Sequence, residues 1–230
     1  MANKFSLNNI FDVENSEKNI ENLSDILEVS IEITQPGDKK PSLSYAGEMT
    51  RDEVARMLEL RKRTLHSFSQ KDALTGLMNG EYFDKRMATV DRSQVLPVAI
   101  INININDWKF VNDHFGDEES DRLIKTVSSI IVSEAKPYFI IGRIDGDVFG
   151  VLIPMALEGE AEDFINKVRN NCDSYEDSIL APSVACGLVY KTNIEQKIED
   201  LMSDAEYEMF TDKYNIKNSA GYRERLERGL

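Results

Sequence analysis

Ile140 to Pro154 reads IIGRIDGDVFGVLIP, and the fold turns on how this stretch is understood. Two short apolar, β-favouring runs, Tyr138 to Ile141 and Val148 to Ile153, flank a polar turn containing Asp145, Gly146 and Asp147. Apolar runs joined by a Gly-bearing reversal predict a β-hairpin, because glycine reaches the backbone conformations that tight turns need. Two carboxylates therefore sit at the tip. Taken alone they fit a surface turn in which aspartates help the chain reverse.

A second stretch points to chemistry. Val98 to Ile124 reads VAIINININDWKFVNDHFGDEESDRLI. Its first four residues are uninterrupted apolar, as in a central strand covered on both faces. Ile101, Ile103 and Ile105 then alternate with Asn102, Asn104 and Asn106, so one face of a buried strand turns polar near its end.

Together these stretches resemble the GGDEF family, the diguanylate cyclases that join two GTP molecules into cyclic di-GMP. Its members read D-x-D-x-F-K-x-x-N-D, then G-H-x-x-G-D, then R-x-G-G-D/E-E-F. The corresponding residues here are NINDWKFVND (104–113), GDEESD (116–121) and RIDGDVF (143–149). Asp72-Ala73-Leu74-Thr75-Gly76-Leu77-Met78-Asn79 is similar to the family's opening D-x-L-T-G-L-x-N segment. The resemblance implies an α/β fold of the nucleotidyl-cyclase palm type, a central mixed sheet flanked by helices. Its nucleotide site would lie at the tips of Val98–Asn106 and the Arg143–Phe149 hairpin.

The departures fall where the family's chemistry lies. The metal carboxylates of the resemblance correspond to Asn104 and Asp147, and one of the two carries no charge. Magnesium prefers oxygen ligands in strict octahedral geometry, and a neutral amide lacks the charge needed to hold two ions against triphosphate. Val148 replaces the second signature acid, so no catalytic residue of the signature is intact beyond the retained Asp147. Asp145 replaces the first signature glycine, bringing a Cβ and a repulsive charge. Each lost electrostatic group costs roughly 100- to 1000-fold in rate, and such losses together bring turnover near background even without full additivity. The sequence therefore predicts a catalytically inactive module, with magnesium bound weakly if at all. An active diguanylate cyclase with a remodelled metal site using Asp145 or Asp107, and a pure protein-interaction scaffold, are the rival readings.

Asn112 and Asp121 match the positions that read the guanine edge, an amide and a carboxylate able to pair with its acceptor and donor groups. Trp108 and Lys109 stand at the F-K pair, and the turn from Asp107 to Phe110 predicts a helix start whose free N–H groups can meet phosphate. The same residues also suit a plainer role, Asn112 and Asp113 ending a short helix and Asp121 on a solvated face. The late D-x-A-L-Y-x-A-K motif appears as Ser203 to Phe210, with Phe210 at the phosphate lysine and Lys213 one turn on. The product-inhibition motif R-x-x-D would fall on Lys136-Pro137-Tyr138-Phe139, which lacks both charged residues, so inhibitory binding of cyclic di-GMP is not expected. Gly80 replaces the arginine that usually follows Asn79.

The 230 residues, 41% hydrophobic and 30% charged, suffice for one domain plus an extension. A formal charge of −14 argues against nucleic-acid polymers and anionic membranes as partners. It leaves a guanine nucleotide such as GTP, a protein partner or a homodimer. Cys172 and Cys186 follow no metal spacing and are expected as reduced, buried thiols, and His66 and His114 are too scattered for a metal site. No long apolar run or signal peptide is visible, which predicts a soluble, cytoplasmic chain.

Residues 1–49 are expected as an extension with a polar, mobile start that carries one candidate docking patch among the scattered Phe5, Leu7, Ile10 and Phe11. Its hairpin would comprise Ile26–Thr34, a turn at Gln35–Asp38, and Ser42–Ala46. Residues 50–70 form a linker helix opened by the capping-box spacing Thr50–Glu53, with Val54, Leu58, Leu65 and Phe68 on one face and Arg61 interrupting it. In the family such a helix pairs with its twin, so Thr50–Gln70 is the candidate dimer surface; packing on its own domain is the alternative. Residues 71–230 are the GGDEF-like domain. Its helices are expected at Glu81–Ala88, Glu118–Ala135, Glu158–Asn171 and Ile194–Tyr214, a strand at Ser183–Tyr190, and a helical tail replacing the family's final strand.

Overall fold

The computed structural model describes residues 3–7, 26–33, 43–50, 52–60, 70–175 and 180–228. The chain forms two compact units, Met1–Ser69 and Gln70–Leu230. The first holds a three-stranded sheet of β1 (Asn3–Leu7), β2 (Ile26–Ile33) and β3 (Leu43–Thr50) in that order. β2 and β3 pair antiparallel from Ile26 opposite Thr50 to Ile33 opposite Leu43. β3 thus runs further than Ser42–Ala46, and the turn at Gln35–Asp38 lies outside the described residues. β1 corrects the expectation of a mobile start: Asn3 to Leu7 add to β2 in parallel. Phe5 and Leu7 alternate with Lys4 and Ser6, but five residues carry too short a pattern to announce a strand without the ladder hydrogen bonds to β2.

Helix α1 covers residues 52–60. The predicted capping box forms: the Thr50 N–H donates to Glu53 Oε2 at 2.8 Å and the Glu53 N–H to Thr50 Oγ1 at 3.3 Å. Val54 and Leu58, one turn apart, are buried, whereas Arg61, Leu65 and Phe68 lie outside the described residues.

The second unit is built on a five-stranded sheet ordered β4 (Met78–Asn79), β6 (Ile140–Asp145), β7 (Val148–Pro154), β5 (Val98–Ile105), β8 (Val184–Lys191). Only β4 and β6 are parallel, so the sheet is mixed, and the hairpin predicted from Ile140–Pro154 is β6–β7. Seven-residue β7 and eight-residue β8 sandwich β5. The helices are α2 (Gly80–Arg92), α3 (Trp108–Phe115), α4 (Asp117–Glu134), α5 (Glu160–Asp173), α6 (Ile198–Lys217) and α7 (Ala220–Arg228). The last of these confirms a helical tail.

Period-two alternation divides β5 between two cores. Ala99, Ile101, Ile103 and Ile105 join a core that includes Leu123 and Val127 of α4 and Phe164 and Val168 of α5. Val98 and Ile100 face the opposite way, toward Phe83 of α2 and Leu201 and Ala205 of α6. Asn102 and Asn104 continue this second face, and both are buried.

A row of glycines crosses that face. Gly142 pairs with Gly150, and Gly150 and Gly187 both pair with Asn102. A Cβ at Gly142 or Gly150 would stand 2.7 or 2.6 Å from Phe83 ring atoms. One at Gly187 would stand 1.9 Å from the Ala205 carbonyl oxygen and 2.4 Å from the Met209 nitrogen. The ring of Phe83 and the backbone of α6 therefore lie directly on the sheet. Cys172 and Cys186 are buried and free, and burial pushes both thiols up to about 12, which keeps them protonated.

The clash at Gly187 involves backbone atoms, which cannot rotate away. Gly187→Ala should therefore destabilise the domain by about 3 kcal/mol, the upper end for overpacking. Urea unfolding measures this, and an unchanged midpoint would contradict the packing described.

Candidate functional site

The β6–β7 turn is held by its own side chains. Asp145 Oδ1 accepts from the Gly146 N–H at 2.9 Å, and Arg143 Nε donates to the Gly146 carbonyl at 2.8 Å. Asp145 is exposed. Arg143 Nη1 also reaches both oxygens of Asp72 at 3.2 Å, and Asp72 accepts from the Thr75 N–H at 2.9 Å and its hydroxyl at 2.6 Å. Burial raises the Asp72 pKa, but the bonds from Thr75 and Arg143 outweigh it and hold the carboxyl below its usual range. The Asp72–Asn79 block is thereby clamped to the hairpin 71 residues away. Asn79 caps α2 by accepting from the Tyr82 N–H at 2.9 Å. Gly80 has no space for an arginine, since a Cβ there would stand 2.7 Å from the Ile144 carbonyl oxygen.

At the end of β5, Asn104 lies opposite Val148, and the Ile105 N–H donates to the Asp147 carbonyl at 3.0 Å. The register thus gathers Asn104, Asp147 and Val148 at one tip. Into it comes Lys213 of α6, whose Nζ donates to Asn104 Oδ1 at 2.5 Å. Burial lowers the Lys213 pKa; Asp147 and Asp107 oppose this, and neighbouring Lys217 adds to it.

Asp107, in the left-handed conformation at φ 62°, precedes α3. Its carboxylate is 95% shielded and accepts from Tyr222 Oη and Arg225 Nη1, each at 2.6 Å, with Lys217 Nζ at 3.6 Å. Burial, and then the bond to Asp107, pushes the Tyr222 hydroxyl up to about 12. Asn106 Nδ2 donates to Ser183 Oγ at 2.9 Å. Trp108 is half-buried against the main core with no partner for Nε1 among the described residues, and Lys109 is exposed.

Asn112 lies on α3 and Asp121 on α4, joined through Gly116 at φ +83°. Ser120, at the second glycine of the family's G-H-x-x-G-D, is buried and donates its hydroxyl to Asn112 Oδ1 at 2.8 Å. That bond fixes the amide and leaves Nδ2 without a partner among the described residues. Asp121 is half-buried and likewise has no partner among them, while Asp113 is exposed. Asn112 therefore ties two helices together and still retains a donor.

Residues 69–219 match the family described as "Diguanylate cyclase, GGDEF domain". The chain belongs to the GGDEF family. It is 30% identical over 112 residues to the probable diguanylate cyclase DgcT of Escherichia coli (strain K12), a match covering 48% of this chain and 25% of that protein. It is 32% identical over 95 residues to the cyclic di-GMP phosphodiesterase PdeB of Shewanella oneidensis, covering 41% and 11%. The chain thus matches a quarter or less of these relatives' lengths. In fold it is similar to the coiled coil and GGDEF domain of DgcB from Caulobacter crescentus in complex with c-di-GMP, with a TM-score of 0.63 at 20% identity over 71% of this chain and 92% of that one. Diguanylate cyclase SiaD in complex with its activator SiaC from Pseudomonas aeruginosa gives 0.61 at 20% identity over 71% and 65%. No helix among the described residues is long and apolar enough to cross a membrane.

In this GGDEF domain the donor set does not fit paired magnesium ions. Asn104 Oδ1 accepts a lysine proton, Asp107 is held by Arg225, Tyr222 and Lys217, and Val148 has no donor atom. Among the described residues no three Asp, Glu, His or Cys side chains converge as a metal site. The roles of Lys217, Tyr222 and Arg225 escape sequence reasoning, because each reaches Asp107 across more than 100 residues.

Lys136 and Tyr138, where the product-inhibition motif would fall, both bond Glu160: Lys136 Nζ lies 2.6 Å from Oε1, and the Tyr138 hydroxyl donates to the same oxygen. The Leu157 N–H donates to Oε2 at 3.0 Å. Burial opposes ionisation, yet these donors bring Glu160 down to about 2. A depressed carboxyl stabilises the fold above its unfolded pKa and loses that contribution as pH falls through the folded one. The stability difference between the native protein and Glu160→Gln should therefore be full above about pH 4.5 and shrink as pH falls toward 2. Urea unfolding across that window measures it, and a pH-independent difference would contradict the assignment.

Proposed function

We propose that this GGDEF domain is a non-cyclising module of cyclic di-GMP signalling that binds a guanine nucleotide at the tips of β5 and the β6–β7 hairpin. The observation that carries this reading is the ammonium of Lys213 on Asn104, directly beside Val148. Two-metal phosphoryl transfer needs concentrated negative charge to hold its cations. Here a lysine stands at that point instead. Asn112 and Asp121 retain an amide donor and a carboxylate acceptor, the complement of a guanine edge.

A protein partner is the second reading, and a different observation favours it. Tyr207, Phe210 and Tyr214 are 71%, 56% and 70% exposed on α6. Their spacing places them along one side of the helix. Large exposed apolar groups in a contiguous patch mark interaction surfaces. SiaD, among the solved neighbours, is in complex with an activator protein.

Incubation with labelled GTP and magnesium or manganese should give no cyclic di-GMP above a buffer blank. Thermal-shift measurements with guanine nucleotides should show stabilisation by at least one of them, and no shift with any would remove the ligand reading. Restoration is sharper. Asn104→Asp alone should stay silent, because the new carboxylate pairs with Lys213. Combining it with Val148→Glu, Asp145→Gly and Lys213→Ala should yield measurable product if charge at this tip is the block.

A further inference from the structure

Lys213 differs from three half-buried arginines of this domain. Arg143 pairs with Asp72, Arg169 with Asp212 and Arg225 with Asp107. Lys213 has a neutral amide as its hydrogen-bond partner, while Asp147 and Asp107 act on it from beyond ion-pair distance. A partly desolvated ammonium without a carboxylate partner attracts an anion, because attraction between charges strengthens where water is excluded. The nearby carboxylates leave it without an ion pair: Asp107 accepts from Tyr222 and Arg225 with Lys217 at 3.6 Å, and Asp147 acts on Lys213 only from a distance.

The surroundings specify the anion. The tip of β5 leads through Asp107 into α3, an eight-residue helix whose first N–H groups favour negative charge. At the other end of α3, Asn112 offers Nδ2, its Oδ1 held by Ser120, and Asp121 offers a carboxylate. One donor and one acceptor match the carbonyl and the N–H groups of guanine. One resident positive charge offsets a short phosphate chain and not a triphosphate.

We infer that Lys213 serves as a built-in cation in place of a metal ion, so that this site takes a guanosine mono- or diphosphate without magnesium. The inference rests on the guanine-nucleotide reading above and adds to it the phosphate chemistry. On binding, the phosphate accepts from Lys213 Nζ, which leaves or shares Asn104 Oδ1. No bond is made or broken in the ligand.

Isothermal titration of the full chain with GDP, once in a chelator and once with magnesium, tests it. Inorganic pyrophosphate in the chelator serves as a second probe. GDP should bind at least as tightly in the chelator as with magnesium. Lys213→Met should weaken that binding about tenfold to hundredfold, as loss of a charge-assisted hydrogen bond does, and Lys213→Arg should restore most of it. Cooperative thermal unfolding of both variants shows that they are folded. GDP binding that requires magnesium, or that is unchanged in folded Lys213→Met, overturns the inference and leaves the guanine reading standing. Pyrophosphate bound as tightly as GDP, and dependent on Lys213, upholds the cation and overturns the guanine reading. Absence of binding by both probes overturns the two together.

Discussion

Helix α6 rests on β8 because position 187 has no side chain, and the arrangement at the site follows from that contact. With the carbonyl of Ala205 and the nitrogen of Met209 lying over Gly187, the next turn of α6 falls above the following residues of β5. Asn102, opposite Gly187, is the level at which helix and sheet meet, and Asn104 is the next residue on that face. One turn beyond Met209 is Lys213, which bonds Asn104. Larger side chains on that sheet face would lift α6 and the turn that carries Lys213 away from β5. The glycine row thus sets a packing distance, and that distance sets an electrostatic outcome.

On the proposed reading, that outcome is an exchange of mobile cations for covalently attached ones. Lys213 and Lys217 of α6 and Arg225 of α7 converge on Asn104 and Asp107. A side-chain cation cannot dissociate, so its charge is present at full effective concentration whatever the magnesium level. It also cannot occupy two positions at once or polarise a leaving group as a metal pair does. On the proposed reading, the site holds an anion rather than transferring a phosphoryl group. This local concentration of basic groups stands against an overall excess of acid, 41 Asp and Glu to 27 Lys and Arg.

Much of the fold was legible because it is written in short-range pattern. The apolar run at Val98, the hairpin at Ile140–Pro154, the capping box at Thr50 and the amphipathic helices each depend on neighbours within a few residues. The strand Asn3–Leu7 was not, because its alternation spans only Phe5 and Leu7 and its pairing with β2 is twenty-four residues distant in sequence. The site divides along the same line. Asn104, Asp147, Val148, Asn112 and Asp121 are found by motif position. Lys213 meets Asn104 across 109 residues, and Tyr222 and Arg225 meet Asp107 across 115 and 118. Those contacts require the register of β8 and the seating of α6, which no local pattern encodes. Ser120 is an intermediate case: its substitution for a glycine is visible, but its bond to Asn112 depends on the angle at Gly116.

The central claim is that an ammonium group holds the place at Asn104 where a divalent ion would otherwise have to bind. Paramagnetic broadening by manganese of the backbone amide resonances of Asn104, Asp147 and Val148 addresses this without reference to turnover. In the unmodified chain these resonances should remain sharp at stoichiometric manganese, and they should broaden when Asn104→Asp is combined with Lys213→Ala. Selective broadening of the same resonances in the unmodified chain would show that a metal ion enters despite Lys213, and would contradict the account.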